Sequence, residues 1–570
     1  MSKVWKIKEN GHDDIIMQLA SELNINKILA TLLVQRGITT FEQAKTFFRP
    51  SLNDLHDPFL MKDMDKAIER IDKAIVQGEK ILVYGDYDVD GTTSVAMVYS
   101  FLKKQHDKIE YYIPDRYLEG YGISYLGIEY AALNKIKLII ALDCGIKAVD
   151  KIQYAKERGI DFIICDHHTP GEKIPDAIAV LDPDRPDCNY PYKFLSGCGV
   201  GFKMLQAYCT VHNLSHEKLY EYLDILAVSI ASDIVPITDE NRTLAYFGLK
   251  RLVENPRIGL KTIITMAGID NKPITIEDIV FKIGPRINAA GRIESGRQAV
   301  ELLIAELPDI ALLQCEKVNS FNLTRRNIDK NMTDEALKEI EHLGTKYKYS
   351  TVLYNPSWHK GVVGIVASRL IESYYRPTII LTESNGWAAG SARSVPGFDL
   401  YEAISKCSDL LENFGGHRYA AGLTLKPENV SLFRERFDIA VSQSITPEQL
   451  IPQIEIDAEL NLKDISGKFF NILKQFEPFG PENMNPVFFA ENVVDNGKGK
   501  MVGNGEEHLK LSLVQEDGPY NVYDAIAFNQ AQHYTKISKG IGFDIAFSLN
   551  ENSFRGNTSI QLNIKDIKIE

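Results

Sequence analysis

The sequence predicts an α/β protein in which two separate α/β segments are joined by a long helix and followed by a β-rich segment. Short apolar runs alternate with helical stretches over residues 80–235 and again over residues 350–445, the pattern of strands covered on both faces. Residues 305–345 have the composition of one long polar helix suited to connecting two lobes. Beyond about residue 450, short alternating strands separated by turns indicate a small barrel or sandwich.

Length and spacing predict the domain organisation. A chain of 570 residues should form several domains rather than one core. The predicted segments are an N-terminal helical segment (1–75), a parallel-sheet α/β domain (76–270), a connector with the long helix (271–345), a smaller α/β domain (346–445) and a β-rich domain (446–570).

Composition narrows the class of protein. The seven cysteines are scattered singly without a CxxC pair, which argues against a disulfide framework or zinc knuckle and fits a reducing cytoplasm. No apolar run approaches the roughly 20 residues that span a bilayer, and the charged N-terminus lacks a signal-peptide core, so we expect a cytoplasmic protein without membrane attachment. The net charge of −13 argues against a general nucleic-acid coat protein but leaves room for basic residues along one cleft.

Acidic residues recur where the predicted strands of the first α/β segment end. The strands end in turn in GDYDVDG, LDCG, CDHHTP and LDPD, and a long apolar helix ends in ASDIVP. One acid at a strand end is usually the cap of the following helix. The full set is harder to explain as caps, because so many like charges at one sheet edge would repel one another. Its members are Asp86, Asp88, Asp90, Asp143, Asp166, His167, His168, Asp182 and Asp233.

Divalent cations would relieve this repulsion. Carboxylates with one or two imidazoles suit Mn²⁺ or Mg²⁺, whereas a structural zinc site would use thiolates. Two such ions about 3.5–4 Å apart can activate a water and stabilise a leaving oxygen in a phosphoryl displacement. The chain lacks the GxxxxGK[ST] signature and a GxGxxG turn after a strand, so nucleotide-fuelled or dinucleotide chemistry has little support.

These motifs resemble a known family. GDYDVDG, LDCGI, DHH and ASDIVP resemble the four motifs of the DHH phosphoesterase superfamily. Further stretches resemble its RecJ branch with a DHHA1 domain: PDRYLEGYG, FKIGPRINAAGRI, FNLTRR, WHKGVVGIVASRL, GSARS and GGHRYAAG. The stretch EPFGPENMNPVF and the β-rich tail resemble that branch's OB-type domain. The second motif reads ALDCG where the family often has a hydroxyl residue, and GPENMNP replaces a tighter glycine-rich form.

The resemblance implies a single-strand-specific 5′→3′ DNA exonuclease of recombination and repair that uses two divalent cations, Mn²⁺ or Mg²⁺. It implies single-stranded DNA as substrate, a DNA helicase and a single-strand-binding protein as partners, and a monomer. His168 would contact the scissile phosphate or water. Carried over by motif, the metal ligands would be Asp86, Asp88, Asp90, Asp143, His167 and Asp233.

Basic residues within small-residue motifs are candidates for binding substrate. Arg393 in GSARS is the main candidate for a terminal phosphate, because small neighbours let backbone N–H groups approach an anion while the guanidinium forks it. Arg325 and Arg326 on the long helix are as readily explained as solvated charges. The predicted substrate-binding set is Arg116, Arg286, Arg292, Gly390, Ser391, Arg393 and His417.

Two other functions remain open at this point. One is a phosphodiesterase or phosphatase that acts on short oligonucleotides or cyclic dinucleotides. The OB-like tail favours a polymeric substrate instead, because OB folds bind single strands. The other is a non-catalytic DNA-binding scaffold, which would gain nothing from carboxylates beside a polyanion. For an exonuclease, we expect the two α/β lobes to face each other across a cleft that admits one strand and excludes a duplex.

Overall fold

A computed structural model describes residues 3–344, 347–515, 521–554 and 557–569. The chain divides into two compact units. The first unit comprises Asp57–Asp233 and Gly248–Pro452, and the second comprises Lys3–His56, Ile234–Phe247 and Gln453–Glu570. Within the described residues, no helix is both long and apolar enough to cross a membrane.

The strands are β1 (Val4–Ile7), β2 (Lys80–Gly85), β3 (Ile109–Tyr112), β4 (Ile136–Leu142), β5 (Asp161–Cys165), β6 (Ala179–Leu181), β7 (Thr351–Tyr354), β8 (Thr378–Ser384), β9 (Trp387–Arg393), β10 (Leu411–His417), β11 (Ala420–Leu425), β12 (Gln453–Ile456), β13 (Ala458–Glu459), β14 (Phe488–Asp495), β15 (Lys500–Val502), β16 (His508–Gln515), β17 (Tyr523–Ala527), β18 (Phe543–Phe554) and β19 (Asn557–Lys568). The α-helices are α1 (Asp13–Leu23), α2 (Lys27–Gln35), α3 (Phe41–Phe48), α4 (Met64–Val76), α5 (Val89–Lys103), α6 (Tyr125–Leu133), α7 (Val149–Glu157), α8 (Gly197–Val211), α9 (Glu217–Tyr220), α10 (Leu223–Ser232), α11 (Asp239–Glu254), α12 (Ile258–Met266), α13 (Ile276–Asp278), α14 (Gly284–Ile293), α15 (Arg297–Leu303), α16 (Pro308–Leu343), α17 (Val363–Ser373), α18 (Leu400–Ser405), α19 (Val430–Ser442), α20 (Gly467–Lys474) and α21 (Tyr534–Ile537).

The first unit begins with a fully parallel sheet. Its strand order is β3-β2-β4-β5-β6, and the five apolar runs predicted as strands form it in full. Residues of β2 and β4 such as Leu82 and Ile139 pack in one buried cluster with Ile128 of α6 and Ile152 of α7. Helices α5 and α8 pack against each other and contact the same sheet. The predicted parallel α/β domain is confirmed.

The long helix and a second sheet complete the first unit. Helix α16 runs for 36 residues, and its Met332, Ala336 and Ile340 share a buried cluster with Val366 of α17 and Ile380 of β8. The second sheet has the order β10-β11-β9-β8-β7, with β7 and β8 parallel and the other pairs antiparallel. The predicted smaller α/β lobe joined by a long helix is therefore present.

The second unit contains a closed barrel. Its sheet has the order β13-β14-β18-β19-β17-β16-β15, and a further pairing of β14 with β16 closes five strands into a ring. The predicted β-rich OB-type domain matches this arrangement. Strand β1 pairs in parallel with β12, and Leu29 and Leu32 of α2 share a core with Phe488 and Phe547. Residues 3–56 thus fold with the β-rich tail. The boundaries of the five segments expected from the sequence stay predictions.

Candidate metal centre and adjoining pocket

The acids that follow the strands of the first sheet lie at one edge. Strands β2, β4, β5 and β6 are neighbours and run parallel, so their carboxyl ends come together. Asp86, Asp143, Asp166 and Asp182 follow these four strands directly. Asp182, at the outer strand, is buried with its pKa raised to about 7 by burial and accepts from the amide of Asp184.

The turn after β2 orients two carboxylates by hydrogen bonds from the backbone. Oδ1 of the buried Asp86 accepts from the amide of Gly122 at 3.0 Å. Asp88 is the N-cap of α5, and its Oδ1 accepts from the amide of Gly91 at 3.0 Å. The turn therefore fixes both side chains at the edge where the strand ends.

Asp90 joins a second helix terminus to the same edge. It lies in the first turn of α5, yet its Oδ2 accepts from the amide of Gly197 at 2.6 Å and its Oδ1 from that of Cys198 at 3.0 Å. Both amides belong to the first turn of α8, and the hydroxyl of Ser229 adds a third donor at 2.6 Å. The helix N-terminus thus stabilises the buried negative charge of Asp90.

His167 stands among three carboxylates. Its Nε2 lies 3.2 Å from Asp143 Oδ1, 3.5 Å from Asp233 Oδ2 and 3.7 Å from Asp90 Oδ2. Two groups of potential ligands share this imidazole, one with Asp143 and His168 and the other with Asp90 and Asp233, and the ligand atoms of each group lie within 4.8 Å of one another. The structure therefore brings five of the seven predicted catalytic residues into two adjoining ligand groups.

The backbone at Asp143 is unusual. Its φ of 59° lies in the left-handed region, which costs a non-glycine residue free energy. A side chain at Gly197 would meet its Cβ at 2.6 Å and its Cα at 2.8 Å, so only glycine lets α8 begin this close. Gly197 therefore leaves room for Asp143 at the end of β4.

Charge repulsion dominates the electrostatics of the site. The pKa values of Asp86, Asp143 and Asp233 are raised well above the ordinary range by burial and by neighbouring carboxylates, and Asp88 is among these neighbours for all three. Burial lowers the pKa of His167, although the charge of a neighbouring aspartate opposes this. Asp233 also caps the C-terminus of α10, where the helix dipole disfavours a carboxylate.

The donor set suits a hard divalent cation. Oδ2 of Asp86 and Oδ2 of Asp143 are buried without a hydrogen-bond partner in the described part of the chain. Buried carboxylate oxygens left unpaired are costly unless a cation takes them up. Oxygen atoms with an imidazole fit Mn²⁺ or Mg²⁺. Asp86 and Asp88 lie outside the two ligand groups, so their role as metal ligands stays a prediction. The negative charge of Asp88 nevertheless raises the pKa of Asp143.

His168 is held beside the cluster by a residue that was not among the predicted ligands. Its Nδ1 lies 2.7 Å from Oδ1 of Asp166, which also accepts from the amide of His167, while Oδ2 accepts from the amide of Ile146. Burial alone would lower the pKa of His168, but Asp166 raises it. Burial would raise the pKa of Asp166, but the hydrogen bond and charge of His168 lower it. The side chain of His168 is 36% exposed and so lies at the open side of the site.

A pocket of about 530 Å³ lies in the cleft between the two lobes of the first unit. Its wall from the first lobe and connector consists of Tyr87, Arg116, Tyr117, Gly120 and Arg292. Tyr87 is the residue between Asp86 and Asp88, so the pocket adjoins the carboxylate cluster. Lys360 and Arg393 line the opposite wall, and among the described lining residues there is no acid. The pocket is therefore suited to an anion.

The guanidinium of Arg393 is held by its neighbours in the GSARS motif, and its role in binding a phosphate stays a prediction. The guanidinium donates to the hydroxyl of Ser391 at 2.6 Å and to the carbonyl of Ala392, and burial lowers its pKa. A side chain at Gly364 would meet Nη2 of Arg393 at 2.8 Å, so the glycine leaves the space that the guanidinium occupies. Gly390 lies in the same wall.

The predicted basic residues do not all reach this pocket. Arg292 lines it and donates to the carbonyl of Gly361 at 2.8 Å, whereas Arg286 bonds Asn319 and the carbonyl of Lys282 outside it. His417 is exposed at the end of β10 and lies outside the pocket wall. Sequence reasoning did not select Tyr87 or Lys360, although both stand within motifs that it singled out.

The contribution of the carboxylate cluster to the stability of the metal-free protein should fall as the pH rises from about 4. A carboxyl group whose folded-state pKa exceeds its unfolded value of about 3.9 contributes full stability below that value and loses it as the pH approaches the folded pKa. The variant Asp143→Asn lacks one such group, so its total loss of unfolding free energy over this pH range should be smaller, by about 1.4 kcal/mol for each unit by which the folded pKa exceeds the unfolded one.

Urea unfolding with a chelator, repeated between about pH 4 and 7, measures these slopes. Asp270→Asn, at an exposed position of the same unit, should keep the wild-type slope. Equal slopes for Asp143→Asn and the wild-type protein would contradict the repulsion described above.

Comparison with known proteins extends across the chain. Residues 80–230 match the DHH family, N-terminal domain, residues 344–443 match the DHHA1 domain, and residues 456–566 match the RecJ OB domain. The single-stranded-DNA-specific exonuclease RecJ of Bacillus subtilis (strain 168) is 38% identical over 567 residues, covering 99% of this chain and 71% of that protein. The corresponding protein of Escherichia coli (strain K12) is 32% identical over 563 residues, or 95% of each chain.

A solved structure agrees with these matches. The crystal structure of RecJ in complex with Mn²⁺ from Thermus thermophilus has a TM-score of 0.84 and 25% sequence identity, and the match covers 100% of this chain and 80% of that one. Domain order, identity and coverage together show that this chain belongs to the RecJ family of single-stranded-DNA-specific exonucleases.

Proposed function

We propose that this chain is a metal-dependent exonuclease that hydrolyses single-stranded DNA from the 5′ end. The observation that carries the proposal is the position of an acid-free cationic pocket directly beside a buried carboxylate and histidine cluster. The pocket would bind the phosphates of the strand, and the cluster would act on the adjacent diester. A scaffold that only binds DNA would have no use for buried acids beside a polyanion.

The chain's own residues would divide the work between holding ions and orienting the substrate. The proposed metal ligands are Asp86, Asp88, Asp90, Asp143, His167 and Asp233. Two divalent cations, Mn²⁺ or Mg²⁺, would supply an activated water and stabilise the charge on the leaving oxygen. His168, held by Asp166 at the open side of the cluster, would contact the scissile phosphate or the water.

Relatives support the substrate and the biological setting. The matched curated proteins carry the name single-stranded-DNA-specific exonuclease, and the matched Thermus structure holds Mn²⁺. OB-type domains bind single strands through groove charge and base stacking, which fits the barrel of the second unit. Family resemblance supports 5′ polarity, a role in DNA recombination and repair, cooperation with a helicase and a single-strand-binding protein, and a cytoplasmic monomer.

The first test is hydrolysis of labelled oligonucleotides in Mn²⁺. The wild-type protein should degrade single strands and leave a blunt duplex nearly intact. The rate of Asp233→Asn should be lower by about 10³-fold or more, because a bound metal ion stabilises the charge of the transition state by several kcal/mol and this variant would lose one metal ligand. Asp270→Asn serves as the control for loss of one carboxylate outside the cluster. Comparable rates on duplex, or a preference for dinucleotides over long strands, would contradict the proposal.

The second test concerns recognition of the strand end. A terminal phosphomonoester carries up to one more negative charge than an internal diester, and the Arg393 guanidinium with Ser391 should prefer it. Arg116 and Arg292, from the facing wall of the pocket, would assist. Arg393→Ala should weaken binding of 5′-phosphorylated strands by about 1.5–3 kcal/mol and of 5′-hydroxyl strands by much less.

Binding titrations in Ca²⁺, which should allow binding without rapid cleavage, measure this difference. Arg418→Ala is the matched control, because this exposed arginine of the same lobe donates to the carbonyl of Gly397 and lies outside the pocket wall. Equal losses of binding for both kinds of strand end would show that Arg393 contacts the DNA backbone in general. Other residues would then have to recognise the strand end.

A further inference from the structure

One loop touches both the cationic pocket and the carboxylate cluster. Residues 113–124 connect β3 with α6. Arg116, Tyr117 and Gly120 of this loop line the pocket, and the amide of Gly122 donates to Asp86 in the cluster. The residue between these two contacts is Tyr121, to which the function proposed above gives no role.

An internal carboxylate fixes the shape of this loop. Oε1 of Glu119 accepts from the amide of Asp115 at 2.7 Å, and the carboxylate also accepts from the hydroxyls of Tyr112 and Ser124. These bonds join the start and the end of the loop to the strand before it. The backbone that presents Tyr121 is therefore held from several sides.

The hydroxyl of Tyr121 makes two contacts inside the cluster. It lies 2.9 Å from the carbonyl oxygen of Asp143 and 3.1 Å from Nε2 of His168. A phenol has one proton to donate, so it bonds both groups at once when that proton goes to the carbonyl of Asp143 and a protonated Nε2 of His168 donates to the phenol oxygen. Because Asp166 holds Nδ1 of His168 at 2.7 Å, both nitrogens of this ring are fixed.

The contact with Asp143 falls on a strained peptide. Asp143 has a φ of 59°, and its carbonyl receives the tyrosine hydroxyl directly after the strand that delivers the carboxylate. A backbone in a sparsely populated conformation persists only where surrounding contacts hold it. The tyrosine therefore supports the orientation of one proposed ligand and one proposed substrate contact.

We propose that Tyr121 is a positioning residue for the hydrolysis, whose hydroxyl, anchored on the peptide carbonyl of Asp143, holds the ring of His168 in its working orientation. The inference rests on the proposed function, since it assigns Tyr121 a role through His168. Groups that orient active-site side chains in this way typically account for about 10–100-fold in activity.

A double-mutant cycle tests whether Tyr121 acts through His168. Tyr121→Phe removes one oxygen and should lower kcat on single strands by about 10–100-fold with little change in KM. If it acts through the imidazole, the double variant Tyr121→Phe/His168→Ala should be no slower than His168→Ala alone. Wild-type kcat in Tyr121→Phe, or losses that simply multiply in the double variant, would overturn the proposal.

Tyr125→Phe is the matched control. Tyr125 is half-exposed like Tyr121, and its ring packs on Tyr154. This variant should keep the wild-type kcat. A loss equal to that of Tyr121→Phe would mean that any change on this surface slows the enzyme, and would also overturn the assignment.

Ring-nitrogen resonances of histidine-labelled, metal-free protein provide a readout that does not depend on activity. The His168 signals, assigned with His168→Gln, should shift in Tyr121→Phe and stay in place in Tyr125→Phe. Unchanged His168 signals in Tyr121→Phe would show that the hydroxyl does not hold the ring. If the wild-type protein failed to cleave any strand, the proposed function would fall, and the spectra would still decide the contact.

Discussion

Repulsion between buried carboxylates is the constraint on which the catalytic half of this molecule depends. Parallel strands bring their acids to one edge, and burial there raises the pKa values of Asp86, Asp143 and Asp233. Folding alone gains nothing from such an arrangement, because charges removed from water cost free energy. The fold therefore offsets part of the cost with hydrogen bonds and one helix N-terminus, and leaves the remainder for bound cations.

The offsets are visible residue by residue. The N-terminus of α8 and the hydroxyl of Ser229 stabilise Asp90, and the backbone of Gly122 stabilises Asp86. The imidazole of His167 lies at the centre of the cluster, because its Nε2 faces three carboxylates. Around this centre, the pocket of arginines and Lys360 has the opposite sign, which is the field that a polyanionic strand requires.

Much of this organisation was predictable because it depends on local pattern. Apolar runs followed by acids predict parallel strands whose ends meet, and the structure places Asp90, Asp143 and Asp233 around His167. The choice among arginines was not predictable. Arg286 and Arg292 belong to one helix, and six residues turn a helix by about 600°, so the two side chains point about 120° apart. The contribution of residues 3–56 to the barrel unit rests on contacts across more than 400 residues, for which the sequence has no local signal. The hydrogen bond between Tyr121 and Asp143 was likewise not predictable, because it depends on the path of the loop of residues 113–124.

The most direct test of this account is the number of protons released when Mn²⁺ binds. Calorimetric titrations at about pH 6 in buffers of different ionisation enthalpy give this number. The account predicts that binding releases protons, because the raised pKa values favour the protonated form of these carboxyl groups and a bound cation requires the ionised form. Binding of Mn²⁺ without proton release would show that these carboxylates are already ionised and that their repulsion does not govern the site.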